Sequence, residues 1–506
     1  MQLPFRLQRF VYLDNNATTE PWSRVVKVIA RTLRKAWGNP SSLYRIAHDS
    51  AHILEDARNV LAQVINAESE EILFTGCASE ANNQVLKMQV DIKPDGRTAV
   101  LSSPIEHASI MTSLEYLQSR GVTVQYLSVD TLGRVGEADL RSKLNSNVAL
   151  VCIMLANNET GVIQRVAELT NHAHDAGALV LCDCVQALGK IPVDVKALGV
   201  DYATFSAHKI HGPKGIGALY VRKGAPLAPF LHGGHQEHGL RAGTESTHNI
   251  AGFAAALRLL APAVTGRELA QELRTGIARL CPQAVFHSAQ EQSLPNTLSV
   301  QFPGTANSVL MGFLDFRGVA VSAGSACNTQ ANEPSHVLTA MGLSAEAARE
   351  TIRFSLAASG PHATRGRDVR YVLQSLEEFF GGRAPSIGML YPAQLEERLL
   401  FQDDVWIFDV RHGYDRLLLK SLPGAHEASY PYRRHYGQVP KNKHIIVVCQ
   451  AGFDAPVVAY ALRARGVAQV SFVMAGMLGW KLQNATLYQK HAGQNIQVLA
   501  HGEVTK

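Results

Sequence analysis

Leu179-Val180-Leu181-Cys182-Asp183-Cys184-Val185-Gln186 and Tyr202-Ala203-Thr204-Phe205-Ser206-Ala207-His208-Lys209 are two short apolar runs that each end abruptly in polar groups. Runs this short, with no polar alternation, read as strands covered on both faces. The same texture recurs at 99–102, 122–127, 148–155 and 218–221, and helix-period segments lie between several of these runs. One such segment, 161–175, is expected to be a helix stopped by Gly177. Alternation of this kind from about residue 70 to 225 predicts an α/β unit with a mainly parallel sheet and helices on both sides. Ligands of such sheets sit beyond the carboxyl ends of the strands, where Asp183 and the 206–209 segment both lie.

Outward from this core the texture changes. A helical run at 250–260 gives way to a second, smaller α+β unit at 265–380. Gly381-Gly382-Arg383-Ala384-Pro385-Ser386 is the clearest linker, and a compact α/β unit follows. The expected layout is a 1–380 region (large domain about 15–260, small domain about 265–380), a 381–390 linker, a 391–485 unit and a 486–506 tail. A chain of 506 residues is long enough for about three domains.

Composition narrows the class. The 48 basic and 43 acidic residues leave a net charge of only +5, without the basic concentration of a nucleic-acid binder. With 46% apolar and 18% charged residues, a large core is expected and wholesale disorder is excluded. Seven cysteines, an odd number, argue against a disulfide framework and for a reducing compartment. The first residues show no signal-type apolar run, and stretches such as 148–156 fall far short of the roughly 18 residues that span a bilayer. The expectation is a cytoplasmic protein without membrane segments.

The polar strand ends carry the chemistry. A buried Asp183 is costly unless it meets a cation, and Lys209 lies on the same rim. A lysine that forms a Schiff base and an aspartate that keeps a pyridine nitrogen protonated are what pyridoxal phosphate chemistry requires. The phosphate needs backbone amides at a helix start, which Thr75-Gly76-Cys77-Ala78-Ser79-Glu80 could supply. Taken singly, each has a plainer reading: Asp183 as a turn residue, Lys209 as a solvated rim lysine, Ser79 as an N-cap.

Five motifs resemble cysteine desulfurases, pyridoxal phosphate enzymes of the class V aminotransferase type. They are Leu13-Asp14-Asn15-Asn16-Ala17-Thr18-Thr19, Asn157-Asn158-Glu159-Thr160-Gly161, His208-Lys209-Ile210-His211-Gly212-Pro213-Lys214-Gly215, Arg241-Ala242-Gly243-Thr244 and Gly324-Ser325-Ala326-Cys327. They keep the family's order and approximate spacing across about 10–380. The resemblance implies the fold type I architecture of pyridoxal-dependent transferases. It implies that Lys209 holds the cofactor, Asp183 pairs with its ring nitrogen, Gln186 bonds its ring hydroxyl, and His107 stacks on the ring and assists proton transfer. Ala78, Ser79, Ser206 and His208 would hold the phosphate, with Thr244 reaching in from the second subunit of a homodimer. Asn158 and Arg353 would bind the carboxylate of L-cysteine.

Residue patterns bear on two of these roles. In Thr351-Ile352-Arg353-Phe354-Ser355-Leu356 alternation sets Arg353 opposite the core face, where its guanidinium could grip a carboxylate or make a surface salt bridge. Cys327 lies in a small, polar run that reads as an exposed loop, where a thiolate is reachable. The resemblance implies that Cys327 takes sulfur from L-cysteine as a persulfide, releases alanine, and hands sulfur to an acceptor. Its Gly324-Ser325-Ala326-Cys327 loop resembles the subgroup that feeds iron–sulfur scaffolds; thio-cofactor synthesis and tRNA thiolation stay open, as do a selenocysteine lyase or aminotransferase reading. Cys77 stands where many members have Gly and Ala323 where Ser is common; neither removes a named group. His232-Gly233-Gly234-His235-Gln236-Glu237-His238 invites a zinc reading, but adjacent glycines oppose the helix that three histidines would need, and no metal is expected.

The 391–485 unit resembles a rhodanese-like domain through Asp409-Val410-Arg411, Leu422-Pro423-Gly424-Ala425, a buried strand ending in Cys449 and Gly476-Met477-Leu478-Gly479-Trp480. A helix opened by Pro456 is expected after the loop. The family's loop usually reads Cys-Arg-x-Gly-x-Arg-Ser/Thr; here Cys449-Gln450-Ala451-Gly452-Phe453-Asp454-Ala455 has lost both arginines and gained a carboxylate. That opposes a thiolate and repels thiosulfate. Cys449 then either takes sulfur from Cys327 or belongs to a docking module.

Overall fold

The computed structural model describes residues 10–91, 96–260, 266–288, 291–324, 334–357, 360, 363–392, 394–395, 404–419, 421–422, 424–452, 454–474 and 476–478. The short strand β1 (Val11–Tyr12) precedes the main sheet. That sheet comprises β2 (Ile72–Thr75), β3 (Ala99–Ser102), β4 (Thr123–Tyr126), β5 (Val148–Cys152), β6 (Leu179–Asp183), β7 (Tyr202–Ser206) and β8 (Gly217–Val221). The spatial order is β2-β8-β7-β6-β5-β3-β4. Pairing is parallel from β4 to β7, and only β8 runs antiparallel, to both β7 and β2.

Uninterrupted apolar runs form these strands because each face has its own core. Val151, Val180, Ala203 and Phe205 pack toward the Arg45–Ile65 and Thr247–Arg258 helices. Their neighbours Leu150, Leu181 and Tyr202 pack toward the Ala78–Asp91 and Ala108–Ser119 helices. Three boundaries differ from the sequence reading. The helix expected at 161–175 begins only at Val166, because Gly161 is left-handed (φ +78°) and Val162 and Ile163 form β-bridges to Ser293 and Ala156. The run at 148–155 leaves the sheet after Cys152, although Ile153 and Leu155 still donate to the carbonyls of Leu181 and Asp183. The helix expected to begin at 250 already starts at Thr247.

The second unit holds β9 (Val285–Phe286), β10 (Thr297–Gln301), β11 (Val319–Ala320) and β12 (Thr351–Ser355). The order β12-β10-β9 is antiparallel, and β11 pairs in parallel with β1. Val11 and Leu13 therefore belong to this unit's core, beside Ile352 and Phe354. The third unit is a parallel sheet of β13 (Gly388–Leu390), β14 (Val405–Asp409), β15 (His426–Glu427), β16 (His444–Val448) and β17 (Gln469–Val473), in the order β13-β17-β16-β14-β15. Its Asp454–Ala464 helix starts two residues before Pro456, which sits in the first turn. That helix packs against Asn307–Phe316 of the second unit. A Cβ on Gly312 would lie 2.4 Å from that of Pro456, and Phe313 and Phe316 flank Tyr460 at 5.3 and 6.1 Å between ring centroids.

Candidate active site

Strand ends and the turns after them enclose a cavity of about 240 Å³. Asp183 ends β6 and Gln186 follows it; Ser206 ends β7, and a single 3₁₀ turn carries His208 and Lys209. Ala78 and Ser79 form the first turn of the helix after β2, and His107 caps the Ala108–Ser119 helix, its Nδ1 accepting from the Ser109 amide at 3.1 Å. Asn158 follows β5, and Arg353 enters from β12. All ten of these residues line the one cavity.

Two residues of the expected cofactor and cysteine chemistry remain. Thr244 is exposed and does not line the cavity, but its neighbour Arg241 pairs at 2.9 Å with Glu80 in the first turn of the Ala78–Asp91 helix. Cys327 lies outside the described residues, between Gly324 and Ser335.

Asp183 has no cationic side chain bonded to it among the described residues. Its carboxylate instead accepts from the Val185 amide at 2.9 Å and from Asn82 Nδ2 at 3.4 Å. Lys209 Nζ donates to the carbonyls of Asn16 (2.7 Å) and Ala17 (2.8 Å). Burial pulls His107 below its ordinary pKa despite the attraction of Asp183. Burial, with repulsion from Lys209 and Lys214, pulls His208 down to about 4. Both imidazoles are neutral near pH 7, and the Ser109 amide on Nδ1 leaves the His107 ring hydrogen on Nε2.

Arg353 does not make the surface salt bridge considered for it; the pair is buried. Nη2 donates to Asp14 at 2.7 Å and Nη1 to the Asn158 carbonyl at 2.9 Å, while the side chain is 2% exposed. Nε has no partner among the described residues.

Four participants escaped sequence reasoning. Asn16 is a hub: its carbonyl takes Lys209 and Gln186 Nε2, its Oδ1 takes Lys190, and its Nδ2 donates to the Asn158 carbonyl and Thr297. Asn82 faces Asp183. Lys190 is fully enclosed, donates to Gln186 Oε1 as well, and is held well below its ordinary pKa by desolvation. Glu106, equally enclosed, accepts from the Met154 amide at 2.8 Å and is pushed up to about 8, chiefly by burial. The one signal available was spacing: Lys190 stands four residues after Gln186.

Elsewhere the chemistry is thinner. Glu237, inside the His232–His238 segment, is buried in a two-pronged pair with Arg58 at 3.0 and 2.8 Å. No cluster of three potential ligands for a metal occurs among the described residues. A larger cavity of about 640 Å³ between the Ser23–Lys35, Arg45–Ile65 and Thr247–Arg258 helices contains charged groups such as Arg258 and Asp56, which pair with each other at 2.5 Å. In the third unit Cys449 is 1% exposed, and its Sγ accepts from the Gly452 amide at 3.1 Å. Burial first, and then Asp454, push this thiol up to about 11. No helix among the described residues is long and apolar enough to cross a membrane.

An α/β sheet with an amine, a carboxylate and a helix start converging past its strand ends defines a lysine-centred group-transfer enzyme. The particular lineage follows from comparison. Residues 11–363 match Aminotransferase class-V and residues 391–483 match Rhodanese-like domain. The chain belongs to the class-V aminotransferase family and carries a rhodanese-like domain behind it. A cysteine desulfurase of Enterobacter agglomerans is 37% identical over 373 residues, 73% of this chain and 92% of the relative. Cysteine desulfurase NifS of Azotobacter vinelandii is 36% identical over 387 residues, 74% of this chain and 96% of the relative. Among solved structures, a NifS-like protein superposes with a TM-score of 0.68 at 37% identity, covering 74% of this chain and all of that one.

Proposed function

We propose that this chain is a cysteine desulfurase that converts L-cysteine to L-alanine and leaves a persulfide on Cys327. The observation that carries this reading is the convergence of Lys209, Asp183, His107, Arg353 and the start of the Ala78–Asp91 helix on one cavity.

The cavity fits pyridoxal phosphate. β8 is pressed beneath the helix start so tightly that a Cβ on Gly217 would lie 2.8 Å from the Ala78 nitrogen. This leaves the amides of Ala78 and Ser79, with Ser206 and His208, to hold a phosphate. Asp183 would meet the ring nitrogen, Gln186 the ring hydroxyl and Lys209 the aldehyde carbon. When bound, the group supplies an electron sink for the substrate's α-carbon.

The chain's own residues do the rest. Arg353 and Asn158 orient the substrate carboxylate. Lys209 Nζ would move the proton at the α-carbon, and neutral His107 would assist proton transfer. The Cys327 thiolate then attacks the substrate sulfur. A sulfur–sulfur bond forms and the β-carbon–sulfur bond breaks, its electron pair staying with carbon. The β-carbon is reduced to the methyl of alanine as the thiol is oxidised to a persulfide, so no outside oxidant is needed. Thr244 of a second copy would complete the phosphate site in a homodimer, and the persulfide passes to a protein acceptor such as an iron–sulfur scaffold. Persulfide chemistry and the odd cysteine count suit the cytoplasm.

We take 1–380 as the desulfurase and 391–485 as the rhodanese-like unit. The enclosed, high-pKa Cys449 favours a docking role for the latter over sulfur relay. Peptide mass spectrometry after a pulse of L-cysteine without reductant tests both readings, on the unaltered protein and Cys327→Ala. Added sulfur on Cys327 alone supports desulfurase plus docking. Sulfur on Cys449 that depends on Cys327 restores the relay, and none on Cys327 refutes the central reading.

A further inference from the structure

Glu159 follows Asn158 and is 1% exposed, yet no step above uses it. Its Oε2 accepts from Ser335 Oγ at 2.6 Å. The same oxygen lies 2.9 Å from where a Cβ on Gly324 would stand, and that point is 3.6 Å from Ser335 Cβ. Gly324 and Ser335 are the two roots of the stretch that carries Cys327, so the chain departs and returns over one carboxylate. Each root also has ties of its own. Ser322 exchanges backbone hydrogen bonds with Arg353 (2.7 and 3.2 Å) and bonds the Gly324 carbonyl from its side chain. Ser335 caps the His336–Ala340 helix through the Leu338 amide, and His336 Nε2 meets the Glu106 carbonyl at 2.9 Å. The Asn158–Glu159 pair thus holds Arg353 by a backbone carbonyl and the Ser335 root by a side chain, with Gly324 packed close to the same carboxylate. Glu159 Oε1 has no partner among the described residues.

We propose that Glu159 is a positioning residue for sulfur transfer: it anchors the Ser335 root of the Cys327 stretch, close beside the Gly324 root, and registers it against the Arg353 framework that orients the substrate. This rests on Cys327 being the sulfur acceptor. The step served is the one balanced above, in which Cys327 sulfur bonds to substrate sulfur as the carbon–sulfur bond breaks. Remote positioning of this kind affects the step in which the reacting atoms must align and leaves substrate binding to Arg353 and Asn158.

The test is single-turnover mixing of the holoenzyme with L-cysteine, following two rates: the change in cofactor absorbance, and sulfur arriving on the Cys327 peptide by quenched-flow mass spectrometry. Glu159→Met and Ser335→Ala are expected to slow the second rate about tenfold, the scale of one hydrogen bond to a charged group, and to change the first by less than about twofold. Glu159→Gln and Ser335→Thr, which keep an acceptor or a hydroxyl, are expected to recover most of the loss. If Glu159→Met does not fold, Ser335→Ala and its Thr counterpart decide the matter. Equal slowing of both rates, or sulfur reaching Cys327 as fast as in the unaltered protein, overturns the anchor alone. Sulfur on another cysteine instead of Cys327 in the unaltered protein overturns the anchor and the Cys327 reading together.

Discussion

Glu106 offers a way to read the electrostatics beneath the cavity from outside. Its side chain is enclosed, accepts one amide from Met154, and has an Oε2 without a partner among the described residues. Asp183 adds repulsion, and the thiols of Cys152 and Cys182 lie close enough to feel its charge. The carboxyl is raised from 4.5 to about 8, so the folded chain keeps a proton that the unfolded chain releases. The resulting stability is fully present below about pH 4.5 and is lost as pH rises to about 8, beyond which nothing more is lost. A shift of this size sets a ceiling of about 5 kcal/mol on the loss, at about 1.4 kcal/mol per pH unit. Glu106→Gln mimics the protonated form, keeps an acceptor for Met154 and does not titrate. Urea midpoints of the two holoenzymes, compared between about pH 5 and pH 9, isolate Glu106 because other titrations cancel in the difference. The variant is expected to gain relative stability steadily up to about pH 8 and then hold a constant lead. A constant offset across the whole range would refute the reasoning, for it would mean that Glu106 is ionised throughout.

Further outcomes follow from the same geometry. Lys209→Ala should lose the absorbance of lysine-bound cofactor and, by alanine formation, turn over on the order of a thousandfold more slowly. Arg353→Lys keeps the charge but loses the fork; kcat/KM for L-cysteine should fall about 10- to 100-fold, the size of a charge-assisted hydrogen bond, with cofactor absorbance retained. With its thiol at about 11, Cys449 is thiolate in only about one molecule in a thousand at pH 8. Iodoacetamide should therefore label it at least about a hundredfold more slowly in the native chain than after denaturation, and thiosulfate sulfur transfer should be undetectable. Gly312→Leu drives a side chain into Pro456 and should raise both Cys449 labelling and proteolysis near the 381–390 linker.

What the sequence could reveal depended on whether a signal was local. Strand ends at Asp183 and Ser206 were legible because an apolar run stops there, and the cavity-lining residues follow each strand directly in the chain. Arg353 was legible as a face, since alternation places Ile352 and Phe354 in the core. Its burial was not legible, because the other side of β12 is covered by Asp14 and Asn158, hundreds of residues earlier. Gly161 shows the same limit: helix-period spacing continued through 161–165, but tertiary β-bridges and a left-handed glycine took precedence. Asn16 carried no pattern of its own, and its importance arises only when five distant segments meet around it.

That meeting point links the elements around the cavity to one another. Arg353 already has two acceptors, the Asp14 carboxylate and the Asn158 carbonyl, and only Nε lacks a partner among the described residues. An isolated guanidinium is costly to enclose so deeply, and Asp14 holds it in place. An arriving carboxylate has to share the fork with Asp14 or displace it, and Asp14 lies on the same turn as Asn16 and Ala17, whose carbonyls hold Lys209. Binding at Arg353 is therefore mechanically continuous with the setting of the amine. It also bears on Ser322, whose backbone exchanges hydrogen bonds with Arg353 at the root of the Cys327 stretch. In the proposed reaction, amine and thiol act at different moments on different atoms of one substrate. A single arginine bonded both to the turn that holds Lys209 and to Ser322, ahead of the Cys327 stretch, is a direct structural means of keeping the two in register.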